Sequence, residues 1–168
     1  MDMTDSLTQL LDVLSRETEL YQTMSTVMSK EKDAAIQSNL MALNEAQIEK
    51  ENILVALGLL EGRRLDLVAA LANTLGYSAQ DMNLTKIAQL VGEPFAGRLK
   101  QAKADLSAVL ESAQDANERN RQLFEHSRDL VRGSINLLSE IGSTNPIYYR
   151  TGLVQHTGAS GKCVCDEI

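Results

Sequence analysis

The chain has 168 residues, of which 43% are hydrophobic and only 4% aromatic, with no tryptophan and two prolines. This length is typical of one domain, and the prevalence of helix-forming residues argues against a β-sandwich, a barrel or an enzyme with an aromatic pocket. The net charge of −7 arises within residues 1–62, so nucleic acids and anionic membranes are disfavoured as ligands.

Leucines and methionines at spacings of three, four and seven predict a first long helix from about Thr4 to Ile36. Glu17 and Glu31 interrupt its apolar seam, and we interpret them as register or solvated positions rather than acid–base catalysts. Ser38 and Asn39 predict a break with an N-cap, although a continuous helix would fit the same residues.

A second long helix is predicted from Leu40 to about Asn73, with Gly76 in the C-cap position. A short helix over residues 84–91 should follow, capped by Asn83 or Thr85. The connecting segment from Gly76 to Glu93 is long enough to bring the chain back to a third helix.

The third long helix is predicted from Pro94 to Ile141, with its proline in the first turn and Gly142 as its C-cap. At about 1.5 Å per residue it would be roughly 70 Å long, so the other helices must lie alongside it. Asn120, Ser127 and Ser134 place polar groups in its apolar seam. They either control register or lie exposed near a helix end, or they leave half a seam open for another protein's helix.

Together these elements predict an all-α fold, an elongated antiparallel bundle of three long helices plus a short connecting helix. The bundle domain should cover residues 1–142, and the glycine-rich residues 143–168 should form a flexible C-terminal tail. The sequence has no apolar run that could span a bilayer and no signal-peptide pattern at its start, so we expect a cytoplasmic protein.

Motifs for catalysis or cofactor binding are missing from the sequence. No glycine-rich phosphate loop occurs, and neither His126 nor His156 follows the Glu-x-x-His pattern of di-iron bundles. Cys163 and Cys165 are either two free thiols or ligands of a soft metal whose site a partner chain completes. We therefore expect no cofactor, no metal site and no enzymatic activity.

One segment of the third helix carries a resemblance to a known family. Asn117, Asn120, Leu123, Phe124 and Ser127 are followed by further leucines and isoleucines. This segment resembles the N-x-x-N-x-x-L-[LI]-x-x-S pattern in the last long helix of the FlgN-like flagellar export chaperones. The order of the other elements agrees over about residues 5–152, whereas the cysteine-containing tail departs from the family pattern.

The resemblance implies a cytosolic chaperone of the flagellar type III export system, which holds hook–filament junction proteins and delivers them to the export gate. It also implies binding without nucleotide, with an amphipathic C-terminal helix of the cargo packed on the chaperone's helices. Tyr148 and Gly152 are the implied contact with the cytoplasmic domain of the export gate. The expected cargo-binding residues are Asn117, Asn120, Leu123, Phe124, Ser127, Leu130, Val131, Leu137 and Leu138.

Two other hypotheses fit the same sequence. A self-associating coiled-coil or bundle scaffold would bury the apolar residues between Leu123 and Leu138 in a homodimer, and a bundle enzyme or metal protein would bind iron or zinc. Met24, Met28 and Met41 are either ordinary core residues or adaptable contacts for a partner.

Overall fold

The computed structural model describes residues 3–143, 147–148 and 154–155. The helices are α1 (Met3–Ile36), α2 (Leu40–Leu75), a 3-10 turn (Ala79–Asp81), α3 (Leu84–Leu90) and α4 (Phe95–Ser143). Two short strands, β1 (Ile147–Tyr148) and β2 (Val154–Gln155), pair antiparallel. The predicted all-α fold of three long helices and a short connecting helix is confirmed.

The predicted tail lies almost entirely outside the described residues. By its internal contacts the chain divides into two units, Met1–Asn120 and Arg121–Ile168. The predicted boundary between a bundle domain and a tail at residue 142 stays a prediction.

The break between α1 and α2 confirms the predicted N-cap and excludes a continuous helix. The Asn39 side chain accepts a hydrogen bond from the backbone N–H of Ala42 at 3.1 Å, which satisfies one of the unpaired donors at the start of α2. Ser38 has a positive φ of 54°, so the chain turns sharply before this cap. At the other end of α2, Gly76 adopts the left-handed conformation with a φ of 76°, as its C-cap position requires.

The short helix and the limits of α4 agree with prediction except at two positions. The Asn83 side chain caps α3 by accepting a hydrogen bond from the N–H of Lys86 at 2.9 Å. Pro94 lies just before α4 rather than in its first turn, because its carbonyl accepts the N–H of Arg98 and so precedes the first helical residue. The C-cap prediction for Gly142 is wrong, because that residue keeps helical geometry and α4 continues to Ser143.

A first apolar cluster joins the start of α1, the end of α2, α3 and the start of α4. Leu10, Leu14, Leu71, Ile87 and Leu99 are almost completely buried in it. Each such side chain contributes about 1.5–3 kcal/mol by leaving water. The start of α1 therefore packs against the end of α2, which makes these two helices antiparallel as predicted.

A second cluster lies further along the same helices. Met24 and Val27 of α1 are buried here with Ala46 and Ile53 of α2, and Ala116 of α4 packs against them. Met24 and Met28 are therefore core residues, whereas Met41 is exposed. Because the starts of α1 and α4 share the first cluster and their later turns share the second, α4 runs parallel to α1.

Two ion pairs join α1 to α2, and in both the glutamate is buried. Glu17 accepts a hydrogen bond from Nε of Arg64 at 3.1 Å, and Glu31 accepts one from Nζ of Lys50 at 2.6 Å. The two glutamates are two heptads apart on α1, and their partners are the same distance apart on α2. Of the two alternatives predicted for these glutamates, burial and ion pairing favour register positions and exclude solvated ones.

We predict that Lys50→Met destabilises the bundle by about 3 kcal/mol, because it leaves the carboxylate of Glu31 buried without its counter-ion. The side chain of Glu31 is only 6% exposed and that of Lys50 only 19%. Chemical denaturation monitored by circular dichroism would measure the change in the free energy of unfolding.

Lys30→Met is the matched control. Lys30 forms an ion pair of 2.8 Å with Glu49, also across α1 and α2, but both of these side chains are about half exposed. Such a surface pair contributes at most about 1 kcal/mol. Equal losses in the two variants would show that the buried pair does not stabilise the bundle beyond a surface pair.

Candidate functional site

The part of α4 that follows Asn120 presents an apolar face to solvent. With about 100° of rotation per residue, its large apolar side chains fall within a sector of roughly 160°. Leu123 and Phe124 are half-buried, and the later members are exposed; Leu130 and Leu138, for example, are 59% and 68% exposed. We call this set the distal stripe: Leu123, Phe124, Leu130, Val131, Ile135, Leu137, Leu138 and Ile141.

Two serines lie near the centre of the distal stripe. The hydroxyl of Ser127 donates to the carbonyl of Leu123 at 2.9 Å, and that of Ser134 donates to the carbonyl of Leu130 at the same distance. Each hydroxyl hydrogen is therefore already bonded within the helix, which lowers the cost of covering the serine with apolar groups. The small serine side chains form a shallow depression between the larger apolar side chains, and the stripe remains continuous around them.

The opposite side of this segment is polar. Glu125, Asp129, Asn136 and Glu140 are exposed there, and His126 is exposed near the border of the stripe. A helix with one continuous apolar face normally covers that face with other protein. The distal stripe therefore has the composition of a helix–helix interface and the exposure of a surface.

The two asparagines of the predicted site differ in position. Asn117 is exposed, whereas Asn120 is buried and its Nδ2 donates to the carbonyl of Met28 at 2.8 Å and to Glu31 at 3.1 Å. Both hydrogens of the Asn120 amide are thus used inside the bundle. This burial supports register control for Asn120, and we leave it out of the surface proposed below.

The remaining predicted cargo residues all belong to the exposed or half-exposed part of the helix. Ser127, Leu130, Val131, Leu137 and Leu138 are exposed. The sequence prediction did not include Ile135 and Ile141, although both fall in the same sector of the helix and are exposed. A complete helical projection of this segment would have found them.

A second feature, which the sequence did not indicate, lies within the first unit. Two adjoining pockets of about 280 and 340 Å³ share Tyr21, Leu54 and Leu110 as lining residues, between α1, α2 and α4. Burial raises the pKa of the Tyr21 hydroxyl, and the negative charges of Glu17 and Glu61 raise it further, against an opposing effect of Arg64. The pockets contain no pair of unpaired titratable groups suited to acid–base chemistry, since Glu17 and Arg64 bind each other.

Within the described ranges, no three His, Cys, Asp or Glu side chains come together as a metal site. None of the helices described is both long and apolar enough to span a membrane. Tyr148 belongs to β1 and its backbone pairs with Val154. The Tyr148 side chain, Gly152, His156 and the two cysteines lie outside the described residues, so the export-gate prediction stays a prediction.

A family model described as FlgN protein matches residues 1–156, which is most of the chain. No curated protein and no solved structure matches the chain significantly.

We predict that Asn120→Ala lowers the free energy of unfolding by about 1–3 kcal/mol, because it removes the amide that donates to the buried Glu31 carboxylate and, as a second donor, to the Met28 carbonyl. Asn117→Ala, an identical substitution one turn earlier on the exposed side, should change it by less than about 0.5 kcal/mol. Urea titration of both variants measures the difference. A loss in Asn117→Ala as large as that in Asn120→Ala would contradict the assigned role.

Proposed function

Because the chain belongs to the FlgN family of flagellar export chaperones, we propose that its distal stripe binds the C-terminal amphipathic helix of hook–filament junction proteins. The chaperone then delivers this cargo to the type III export apparatus, where it contacts the cytoplasmic domain of the export gate. It works in the cytoplasm by binding alone, without catalysis and without a cofactor.

The observation that carries this proposal is the exposed distal stripe. Large apolar side chains are left in water over about three turns, from Leu130 to Ile141, of a helix whose earlier turns are packed. Leu130 and Leu138 are 59% and 68% exposed, so covering either of them with a partner helix contributes about 1–2 kcal/mol. Several leucines on one face therefore supply enough favourable free energy to bind a helix in spite of the entropy lost on association.

The proposed surface also explains how the chaperone could bind cargo without unfolding itself. The residues of the stripe beyond Phe124 are not part of either apolar cluster that holds the helices together. Binding at the stripe then leaves the ion pairs and the Asn120 hydrogen bonds in place. The proposed cargo-binding residues are Asn117, Leu123, Phe124, Ser127, Leu130, Val131, Ile135, Leu137, Leu138 and Ile141.

We predict that Leu130→Asp weakens binding of a purified hook–filament junction protein by about 30-fold or more, because a carboxylate would have to be buried in an apolar interface. Leu130 is exposed, so the variant should keep its helicity and its unfolding midpoint. Isothermal titration calorimetry and circular dichroism measure the two quantities.

Asn136→Asp places the same carboxylate on the polar side of the same segment and should bind like the unmodified chain. Unfolding of the Leu130→Asp variant would place this residue in the core and contradict the assignment.

Light scattering on the unmodified chain tests the scaffold hypothesis. A dimer that Leu130→Asp dissociates, with no binding of junction protein, would favour self-association over the chaperone proposal.

The export-gate contact is tested separately. Tyr148→Ala should leave the Kd for cargo within about twofold but reduce the junction protein secreted by flagellated cells, because docking rather than holding would be impaired. Tyr77→Ala is the control. It removes an exposed tyrosine of the first unit, outside the second unit to which Tyr148 belongs, and should leave secretion unchanged. Loss of cargo binding in Tyr148→Ala would contradict the separation of the two roles.

A further inference from the structure

Three arginines lie along one border of the distal stripe. Arg121 and Arg128 are one heptad apart and Arg132 is one turn further, so all three fall within roughly 40° of rotation beside Phe124 and Ile135. We call this row the arginine flank. All three side chains are exposed.

The other charges of this segment are elsewhere on its circumference. Glu125, Asp129 and Glu140 point away from the stripe, behind the arginine flank, and the opposite border carries His126 and Gly133. The segment from 121 to 141 has equal numbers of acidic and basic residues, so its net charge is zero while its stripe has one positive border. A uniform solvated surface would not require that separation.

Intrahelical ion pairs do not explain the row. The guanidinium Nη1 of Arg121 lies 3.6 Å from Oε1 of Glu125, and Nε of Arg128 lies 3.5 Å from Oδ1 of Asp129. All four side chains are about half exposed or more. Exposed pairs of this length contribute little and exchange readily with other partners. The guanidinium groups therefore remain able to bind carboxylates presented by a helix lying on the stripe.

We infer that the helix bound by the distal stripe carries acidic side chains along one flank, spaced to meet Arg121, Arg128 and Arg132. The inference rests on the proposed function and adds the charge pattern of the partner. In packed helices, charged residues beside the apolar seam select the partner and its orientation, whereas the apolar contacts supply most of the affinity. The arginine flank thus determines which amphipathic helices are accepted.

A membrane surface is the competing occupant, because amphipathic helices with a basic border also bind anionic lipids. The three acidic residues of the segment balance its three arginines, so it lacks the net positive charge by which such helices are attracted to anionic headgroups. A protein helix lying along the stripe can instead pair its own carboxylates with the arginine flank at short range, which does not require a net positive charge on the segment.

The test uses two synthetic helical peptides with the same apolar stripe. One carries glutamate along one flank and the other carries lysine at the same positions, with glutamine on the second flank of both. A free peptide can bind in either direction, so it can always present its charged flank to the arginines. We expect the full chain to bind the glutamate peptide about tenfold more tightly at low salt, and the preference to shrink at high salt.

Two double variants with the same change in net charge separate the flank from overall charge. Arg128→Gln with Arg132→Gln removes two positive charges at the border of the stripe. Gln122→Glu with Asn136→Asp adds two negative charges on the polar side. The preference for the glutamate peptide should be lost in the first variant and kept in the second. Retention in the first, or loss in both, would overturn the inference.

The remaining outcomes distinguish this inference from the function on which it rests. Equal binding of both peptides by the unmodified chain overturns the acidic-flank inference and leaves the proposed function standing. If neither peptide binds, the stripe does not accept a helix, and both fail. Sedimentation with phosphatidylglycerol vesicles that is lost in Arg128→Gln with Arg132→Gln would assign the arginines to a lipid surface and overturn the inference.

Discussion

The antiparallel register of α1 and α2 depends on two buried ion pairs, Glu17 with Arg64 and Glu31 with Lys50. A hydrophobic seam of leucines tolerates a shift of one heptad with modest loss, because one leucine replaces another. A shifted pairing here would leave two buried carboxylates without counter-ions, at a cost of several kcal/mol each. Because the partners have the same two-heptad spacing on both helices, one register satisfies both pairs at once.

The same constraint extends to α4 through Asn120. Its amide joins the Glu31 carboxylate that Lys50 already neutralises, so one polar cluster links all three long helices. Buried polar groups of this kind add little net stability but penalise incorrect packing, since each unsatisfied group costs free energy. The side chain of Asn120 in the family-like Asn/Asn/Leu/Ser segment is thus bonded inside the bundle, whereas Asn117 and Ser127 are exposed and Leu123 is half-buried.

A chaperone needs both a stable frame and an uncovered surface, and this chain places them in successive parts of one helix. The early turns of α4 contribute Leu99 and Ala113 to the packed interior, and the later turns expose the distal stripe. Because the apolar residues of the stripe are not needed for the apolar clusters, their exposure costs no packing in the first unit. We propose that cargo affinity comes from these side chains and that the arginine flank adds selectivity.

Periodicity and capping chemistry were enough to predict the four helices, their order and most of their limits, because helix formation is governed by local spacing and by residues such as Asn39, Gly76 and Asn83. They were also enough to predict an amphipathic face on α4. Which seam positions are covered depends on the neighbouring helices. Leu40 and Leu130 fit the apolar spacing of their helices as well as Leu10 does. Leu10 is nonetheless completely buried, whereas Leu40 and Leu130 are exposed. Only the packed structure shows that Glu31, Lys50 and Asn120 meet, because residues distant in sequence come together through the tertiary fold.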